Sequence, residues 1–296
     1  MALRCSWAHW PNARIGSKWF ARSRQGRLFP ITRSSNHWER SARLSAGLWC
    51  NVSMRRSSRS NTSGVNAEYT PMMSASEARK RIAWQNKVYG EHLARKGQLA
   101  LDFHGRKIVV DQNVFAPVPY DFNLLAKAVL REVKDTDCVL DVGTGSGSQA
   151  ILAASKAKRV LAVDVNPEAV RCATRNIETN GLTDRIKVTQ SDLYEKINGR
   201  FSLIMFDPPF RWTAPRDLWE RSTADEGYAT LQRFLSESRT HLNKNGRSIL
   251  GFGTSGDIAY LRQLIRANRF RRRQVLKNRQ KNGWTYFTFR LTAGPC

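Results

Sequence analysis

A carboxylate, two prolines and an aromatic residue stand together where an apolar run of the chain stops. Asp207-Pro208-Pro209-Phe210 follows directly after the mostly apolar residues 201–206. The Asp207 carboxylate and the Pro208 carbonyl can each accept a hydrogen bond, and the prolines fix φ and add no N–H that would compete. Phe210 can stack on a planar group. The four residues therefore predict a rigid pair of acceptors beside an aromatic ring, unless they form only a proline-rich turn that ends a strand.

A glycine-rich loop lies upstream, between a β-branched run and the start of a helix pattern. Gly143, Gly145 and Gly147 let the backbone approach a ligand, and the free N–H groups at the helix start can bind it. Dinucleotide-binding enzymes use a similar loop, but Asp141, two residues before the first glycine, would repel a phosphate. A ligand with an ammonium group suits this carboxylate better. The alternative is a tight turn that holds no ligand.

Two further aspartates follow the next two strand patterns. Asp164 can accept hydrogen bonds from both hydroxyls of a ribose. Asp192 can accept one from an adenine amino group, with Leu193 packed on the ring. Each aspartate alone could be a helix cap or a loop acid. Because Asp141, Asp164 and Asp192 are associated with three consecutive strands of one predicted sheet, they are expected to reach the same edge of it.

This order of motifs resembles that of the class I methyltransferases that use S-adenosylmethionine, over about residues 115–292. The four residues at 207–210 are similar to the (N/D)-P-P-(Y/F/W) motif of enzymes that methylate amino groups. A planar NH₂ group is a poor nucleophile because its lone pair is delocalised, and two fixed acceptors would draw charge toward its nitrogen. The resemblance implies no metal, the catalytic residues Asp207, Pro208, Pro209 and Phe210, and the cofactor-binding residues Asp141, Gly143, Thr144, Gly145, Ser146, Gly147, Asp164, Asp192 and Leu193.

The methyl acceptor is left open between two classes. The layout ahead of the glycine loop resembles the HemK/PrmC group of release-factor glutamine methyltransferases, which implies a glutamine amide in a translation factor. Those enzymes typically show P-R-P-x-T-E and N-P-P-Y, whereas this chain has P-V-P-Y-D-F at 117–122 and D-P-P-F. D-P-P-(Y/F) is more usual among enzymes that methylate exocyclic amines of RNA or DNA bases. A non-catalytic S-adenosylmethionine-binding protein is a further alternative, disfavoured by the intact motifs.

The charge of the chain favours an anionic partner. It carries 49 Lys and Arg against 24 Asp and Glu, a formal net charge of +25. The charge fits RNA or a ribonucleoprotein, and the resemblance implies a protein associated with translation or the ribosome, or an RNA substrate. No apolar run approaches the ~18 residues that a membrane-spanning helix needs, so no membrane partner is expected. A run within 266–281 concentrates basic residues, although such a run can also be only a solvated face: Arg266, Arg269, Arg271, Arg272, Arg273, Lys277, Arg279 and Lys281.

Alternating strand and helix patterns would position these residues. Strand patterns cover 138–142, 159–165, 185–190, 201–206 and 247–253, and helix patterns cover 148–157, 167–181, 227–242 and 256–270. Residues 271–280 and 284–291 can pair as a closing hairpin through Lys281-Asn282-Gly283. The alternation predicts an α/β fold with a doubly wound, mostly parallel seven-stranded sheet, Rossmann-like, with its ligand at the carboxyl ends of the strands.

Three regions divide the chain. Residues 1–73 are basic and rich in Arg, Ser and Trp, and we expect them to be disordered and dispensable. They resemble an organellar transit peptide, which would make the protein mitochondrial or organellar, or they precede a true start at Met72 or Met73. Without a secretory apolar segment, a cytoplasmic location is expected otherwise. Residues 74–113 form a helix, opened by a capping box from Ser74 to Glu77, and a hairpin turning at Gly105, and residues 114–292 form the methyltransferase domain.

Overall fold

The computed structural model describes residues 69–117 and 123–294. The helices of these residues are α1 (Ala75–Ala94), α2 (Leu124–Glu132), α3 (Ser148–Ala153), α4 (Pro167–Thr179), α5 (Ala229–His241) and α6 (Ile258–Ala267). The strands are β1 (Leu99–Asp102), β2 (Lys107–Val110), β3 (Cys138–Val142), β4 (Arg159–Asp164), β5 (Ile186–Gln190), β6 (Phe201–Phe206), β7 (Leu242–Gly253), β8 (Phe270–Arg279) and β9 (Thr285–Ala293). No helix among them is long and apolar enough to cross a membrane.

Seven strands form one sheet in the order β5-β4-β3-β6-β7-β9-β8. Strands β3 to β7 pair in parallel, and β9 runs antiparallel to both of its neighbours. The predicted doubly wound, mostly parallel sheet is confirmed. Because the chain order reverses on either side of β3, the loops after β3, β4 and β6 open into one crevice, which is the usual ligand position in such sheets.

Side chains alternate between the two faces of the sheet and bury both. Leu203 and Met205 of β6 belong to the core that α2, α3 and α4 cover. Phe206 points the other way and lies 4.6 Å, centroid to centroid, from Phe234 of α5. The apolar run 201–206 is therefore a central strand that is buried on both faces, and it carries the residues after it to the middle of the crevice.

The predicted N-terminal helix and hairpin are present. Ser74 Oγ accepts a hydrogen bond from the Glu77 amide, and Glu77 accepts one from the Ser74 amide, so the capping box opens α1 as expected. Strands β1 and β2 pair antiparallel across the turn at Gly105. The hairpin is joined to α4, since the Asn176 side chain bonds both the N–H and the carbonyl of Val109 at 2.9 Å.

The packed part of the chain includes residues ahead of the boundary expected at Ser74. The Tyr69 ring meets Tyr228 and Tyr260 edge-on, at centroid distances of 5.0 and 4.7 Å. Its hydroxyl and the Met72 amide both donate to Asp257 Oδ2, at 2.8 and 2.7 Å. One tyrosine in a polar segment has no periodicity that would mark it as packed. Residues 1–68, the rest of the expected extension, lie outside the described part of the chain.

We predict that Tyr69→Ala destabilises the domain by about 2 kcal/mol, because it removes aromatic packing and a hydrogen bond to a carboxylate. Tyr69→Phe keeps the ring and should lose less. Thermal unfolding of both variants measures the difference. For the same reason, deletion of residues 1–73 should lower the melting temperature more than deletion of residues 1–68. Equal melting temperatures for the two deletions would show that residues 69–73 contribute nothing.

Candidate active site

A cavity of about 360 Å³ opens at the carboxyl ends of the parallel strands. Its wall combines the glycine loop, the ends of β4 and β6, part of α1 and the segment between β6 and α5. Most of the residues expected at the site line it: Gly143, Thr144, Gly145, Ser146, Asp164, Asp192, Leu193, Asp207, Pro208, Pro209 and Phe210. The two exceptions are Asp141 and Gly147, which lie behind the wall.

Asp141 is buried beneath the glycine loop and does not reach the cavity surface. Its Oδ2 accepts a hydrogen bond of 2.7 Å from the Thr144 hydroxyl. Burial raises the pKa of this carboxyl to about 7, although the Thr144 bond favours the ionised form. Asp141 holds the loop from below, and its expected direct contact with an ammonium group stays a prediction.

The three glycines of the loop all have positive φ, at 65°, 56° and 81°, but for different structural reasons. A Cβ on Gly147 would come within 3.1 Å of Ala173 Cβ, so this glycine permits close packing against α4. A Cβ on Gly143 would lie 3.3 Å from the Phe206 ring. Around Gly145, the nearest atom to such a Cβ is 4.0 Å away. Only the wall at Gly145 is open, which leaves room for a ligand beside the backbone.

Asp164, at the end of β4, ties the strand to the glycine loop. Its Oδ2 accepts from the Gly145 amide and its Oδ1 from the Asn166 amide, both at 2.9 Å. A carboxylate offers about four acceptor positions, so each oxygen can still accept a further bond. Burial raises the pKa of Asp164. The carboxylate is thus held in one orientation with free acceptor capacity on the cavity side.

Asp192 already has cationic neighbours. Arg233 donates to its Oδ1 at 3.1 Å, and an Arg221 nitrogen lies 3.6 Å from Oδ2. A ligand amino group would have to share this carboxylate with the two arginines. The adjacent Leu193 is buried in the wall with φ of 49°, a conformation that is uncommon for leucine. The expected pair is in place, but the arginines could not be foreseen from the motif.

Asp207 is the least satisfied carboxylate of the site. It is accessible from the cavity, and no described residue donates a hydrogen bond to it or forms an ion pair with it. The protein around it displaces bulk water and raises its pKa to about 6. Gly251 of β7 lies directly against it, because a Cβ there would be 2.5 Å from Asp207 Oδ1. A rigid carboxylate with unused acceptors therefore faces the cavity.

Phe210 is fixed beside this carboxylate in a cluster of three aromatic rings, called here the aromatic corner. Its ring lies 5.0 Å from Phe252 and 5.9 Å from Tyr286, centroid to centroid. The Tyr228 hydroxyl donates to the Phe210 carbonyl at 2.7 Å and holds the backbone after the prolines. The arrangement places hydrogen-bond acceptors and an aromatic ring side by side in the cavity wall, and binding of a planar group there stays a prediction.

Comparison with known proteins assigns the family. The model of the methyltransferase small domain matches residues 105–281. The chain belongs to this family. A putative protein N5-glutamine methyltransferase of Methanocaldococcus jannaschii is 32% identical over 50% of this chain and 76% of its own length. A release factor glutamine methyltransferase of Lactococcus lactis is 29% identical over 51% of this chain and 60% of its own length.

The fold has its counterpart among solved structures. A tRNA m1G37 methyltransferase of M. jannaschii superposes with a TM-score of 0.51 at 16% identity, over 68% of this chain and 58% of that one. This superposition shows the fold alone. The family match and the curated relatives make the protein a methyltransferase of HemK/PrmC-like type, for which S-adenosylmethionine is the implied methyl donor.

The methyltransferase cavity fits such a donor in two respects. Gln149 Oε1, in the first turn of α3, is buried with no hydrogen-bond partner among the residues described, and Gln149 lines the cavity. Asp164 keeps free acceptor capacity beside the open position at Gly145. Together they offer acceptors for the amino and hydroxyl groups of an aminoacyl nucleoside. Leaving the buried Gln149 oxygen unpaired costs free energy, and a ligand that donates a hydrogen bond to it would remove this cost.

Sequence reasoning missed at least four residues of the methyltransferase site, Gln149 among them. Tyr286 and the buried Arg211 line the cavity, and Gly251 supports Asp207 from behind. Arg211 and Tyr286 have no spacing that singles them out. Gly251 did carry a signal, because a glycine inside a strand commonly marks a close approach of another group.

We predict that Asp164→Ala weakens S-adenosylmethionine binding by about 2–3 kcal/mol, the size of hydrogen bonds to a charged group. Calorimetric titration measures the loss. Asp184→Ala, an exposed aspartate in the loop before β5, is the matched control and should bind normally. Unchanged affinity in Asp164→Ala would remove this residue from the cofactor site.

Proposed function

We propose that this protein is an S-adenosylmethionine-dependent N-methyltransferase whose acceptor is a glutamine amide in a protein of the translation apparatus. The observation that carries the proposal is the unpaired Asp207 carboxylate beside Phe210 in the cavity. The relatives named as glutamine methyltransferases support the amide as acceptor. The eight basic residues of 266–281, all exposed at the end of α6 and along the edge strand β8, would suit the anionic surface of a ribosome-associated complex.

The chain's own residues would bind, orient and receive a proton. S-adenosylmethionine, when bound, supplies an electrophilic methyl group on a positively charged sulfur. Asp164, Asp192 and the glycine loop would hold its nucleoside and amino acid parts. The carboxylates of Asp164 and Asp207, together with the buried Asp141, would favour a cationic donor over its neutral product.

Asp207 and the Pro208 carbonyl would act on the acceptor. Each accepts one N–H of the planar NH₂ group, which fixes the nitrogen toward the methyl group and increases its electron density. Phe210 would stack on the plane of the amide. As the new N–CH₃ bond forms, one N–H proton passes to Asp207, whose raised pKa of about 6 suits a proton acceptor near neutral pH.

A base amine is the second candidate acceptor, because of the residue type at 207. A carboxylate accepts two donors at once, as the edge of a guanine offers, whereas the asparagine of the glutamine enzymes accepts on one atom only. Phe210 with Phe252 and Tyr286 would stack on a base as well as on an amide. The same features thus serve either acceptor, and the substrate must be identified directly.

Labelled methyl transfer into a lysate of cells that lack the enzyme separates the two. The purified protein is incubated with methyl-labelled S-adenosylmethionine, and the product is treated with protease or with ribonuclease. Label lost to protease alone supports the proposal, and label lost to ribonuclease alone supports the base amine. The Asp207→Ala variant is the control for transfer at this site, and equal labelling by it would exclude the site.

A further inference from the structure

A buried arginine lies directly after the catalytic motif and has no acidic partner. Arg211 is 5% exposed and lines the cavity with Asp207 and Phe210. Its Nε donates to Gln85 Oε1 at 2.7 Å. Among residues 69–117 and 123–294, no carboxylate lies within ion-pair distance of Arg211. Neither of its terminal guanidinium nitrogens donates a hydrogen bond to any of these residues. Buried charges are ordinarily paired, so an unpaired guanidinium in a cavity wall points to a ligand.

The neighbouring residues hold the guanidinium without neutralising it. Gln85 of α1 donates through Nε2 to Glu220 Oε1 at 2.7 Å and to Thr223 Oγ1 at 2.9 Å, which turns its oxygen toward Arg211. Glu220 is itself paired with Arg216, whose Nε donates to it at 2.7 Å. Glu220, a carboxylate whose charge acts on Arg211, is therefore already used by another arginine. Burial lowers the pKa of Arg211 to about 10, so the side chain remains charged at neutral pH.

Arg211 and Asp207 share a wall but do not pair with each other. Both charges act on the Tyr286 phenol. Burial is the main cause of its raised pKa; the charge of Asp207 raises the pKa further, and the charge of Arg211 lowers it. The Phe210 ring lies 5.9 Å from that of Tyr286. A cation and a carboxylate thus flank one aromatic corner, with the terminal nitrogens of Arg211 and the carboxylate oxygens of Asp207 unused by described residues. A primary amide has the complementary groups, a carbonyl acceptor and two N–H donors on one plane.

We infer that Arg211 donates to the carbonyl oxygen of the acceptor amide while Asp207 accepts from its nitrogen, an inference that rests on the function proposed above. The amide nitrogen takes the methyl group and loses one proton to Asp207, and the electron pair of the broken S–CH₃ bond stays on sulfur, which becomes neutral. As the proton leaves, negative charge moves onto the carbonyl oxygen. A guanidinium fixed there stabilises that charge, which makes the N–H more acidic and favours proton transfer to Asp207 as the N–CH₃ bond forms.

The test is single-turnover transfer from labelled S-adenosylmethionine into the ribonuclease-treated protein fraction of cells that lack the enzyme. Arg211→Met should lower the rate about 10²-fold, the loss usual for one preorganised donor. Arg211→Lys keeps the charge without the planar fork and should lose about tenfold. Cofactor affinity should stay unchanged in both. Arg171→Met, which removes an exposed arginine of α4 that is remote from the cavity wall, should keep the wild-type rate.

Thermal unfolding separates this role from a structural one. An unpaired buried charge is itself costly, so removing it offsets the loss of the hydrogen bond to Gln85 Oε1. Arg211→Met should therefore keep or raise the melting temperature while it loses activity. A lower melting temperature together with weakened cofactor binding would mean that Arg211 only supports the fold, and would overturn the inference.

The remaining outcomes are also decisive. A wild-type rate in Arg211→Met, with label in protein, would overturn this inference and leave the proposed function standing. Wild-type label found in ribonuclease-sensitive material, or no label in the protein fraction, would overturn both. A rate loss in Arg211→Met with intact cofactor binding and an unchanged melting temperature supports the inference.

Discussion

Asp207→Ala is expected to slow methyl transfer by about 10²–10³-fold while S-adenosylmethionine binds with nearly normal affinity. The expected loss is that of one preorganised polar partner of a transition state. Cofactor affinity should survive because no described residue depends on Asp207 for a hydrogen bond, and its free acceptors face the cavity. Single-turnover transfer and cofactor titration of the same variant measure the two quantities. Full activity would mean that the motif is only a turn that ends β6.

Asp207→Asn, compared with wild type over pH, is the matched control. On a glutamine amide the change should be mild compared with Asp207→Ala, because asparagine, the usual residue of the glutamine enzymes, keeps the acceptor oxygen that orients the amide and loses only the proton acceptor. On a guanine-type edge it should be severe.

The wild-type carboxyl has its pKa raised to about 6, so wild-type activity should fall as the pH drops through about 6 and the acceptor becomes protonated. Asp207→Asn should lack this acid limb, and an identical pH profile would argue against an ionised Asp207.

Gly251→Ala is expected to reduce the rate of transfer by about 10²-fold through its effect on Asp207. The new Cβ would stand 2.5 Å from Asp207 Oδ1, so the carboxylate must turn or shift. A misplacement of about 1 Å in a catalytic group can lower the rate about 10²-fold. If the effect acts through Asp207, Gly251→Ala should add little further loss in an Asp207→Ala background. Additive losses would show that Gly251 acts elsewhere.

Gly90→Ala is the matched glycine control. A Cβ at Gly90, in α1, would meet nothing within 4 Å. Alanine also favours the helix by roughly 0.5–1 kcal/mol over glycine, so this variant should keep full activity and be slightly more stable. Comparing the two variants separates the cost of a Cβ beside Asp207 from the general cost of replacing a glycine.

The sheet could be predicted from the sequence because its strands and helices carry strong local patterns. The five strand patterns and the closing hairpin correspond to β3–β9, since buried parallel strands are short apolar runs bounded by glycine, proline or aspartate. Boundaries were less accurate. The helix pattern at 148–157 became α3, Ser148–Ala153, and β7 begins at Leu242, five residues earlier than its pattern.

The position of a site residue was predictable from the sequence where the end of a strand places it. Asp164 ends β4 and Asp207 directly follows β6, and these two strands flank β3, so their meeting follows from the topology alone. The burial of Asp141 behind the loop, the arginines on Asp192 and the Gln85 contact of Arg211 depend on packing between segments far apart in sequence. No local pattern reports such contacts. Residues 118–122, which distinguish this chain from the glutamine enzymes, lie outside the described residues.

Mass spectrometry of the methylated product tests the central claim most directly. Proteins from wild-type cells, from cells lacking the enzyme and from cells with only the Asp207→Ala variant are digested and compared. We expect one peptide of a translation protein to carry a single methyl group on a glutamine side-chain nitrogen in the wild type, and to lack it in the other two. The proposed function would be contradicted if every glutamine were modified alike in the three samples while a methylated base in RNA disappeared with the enzyme.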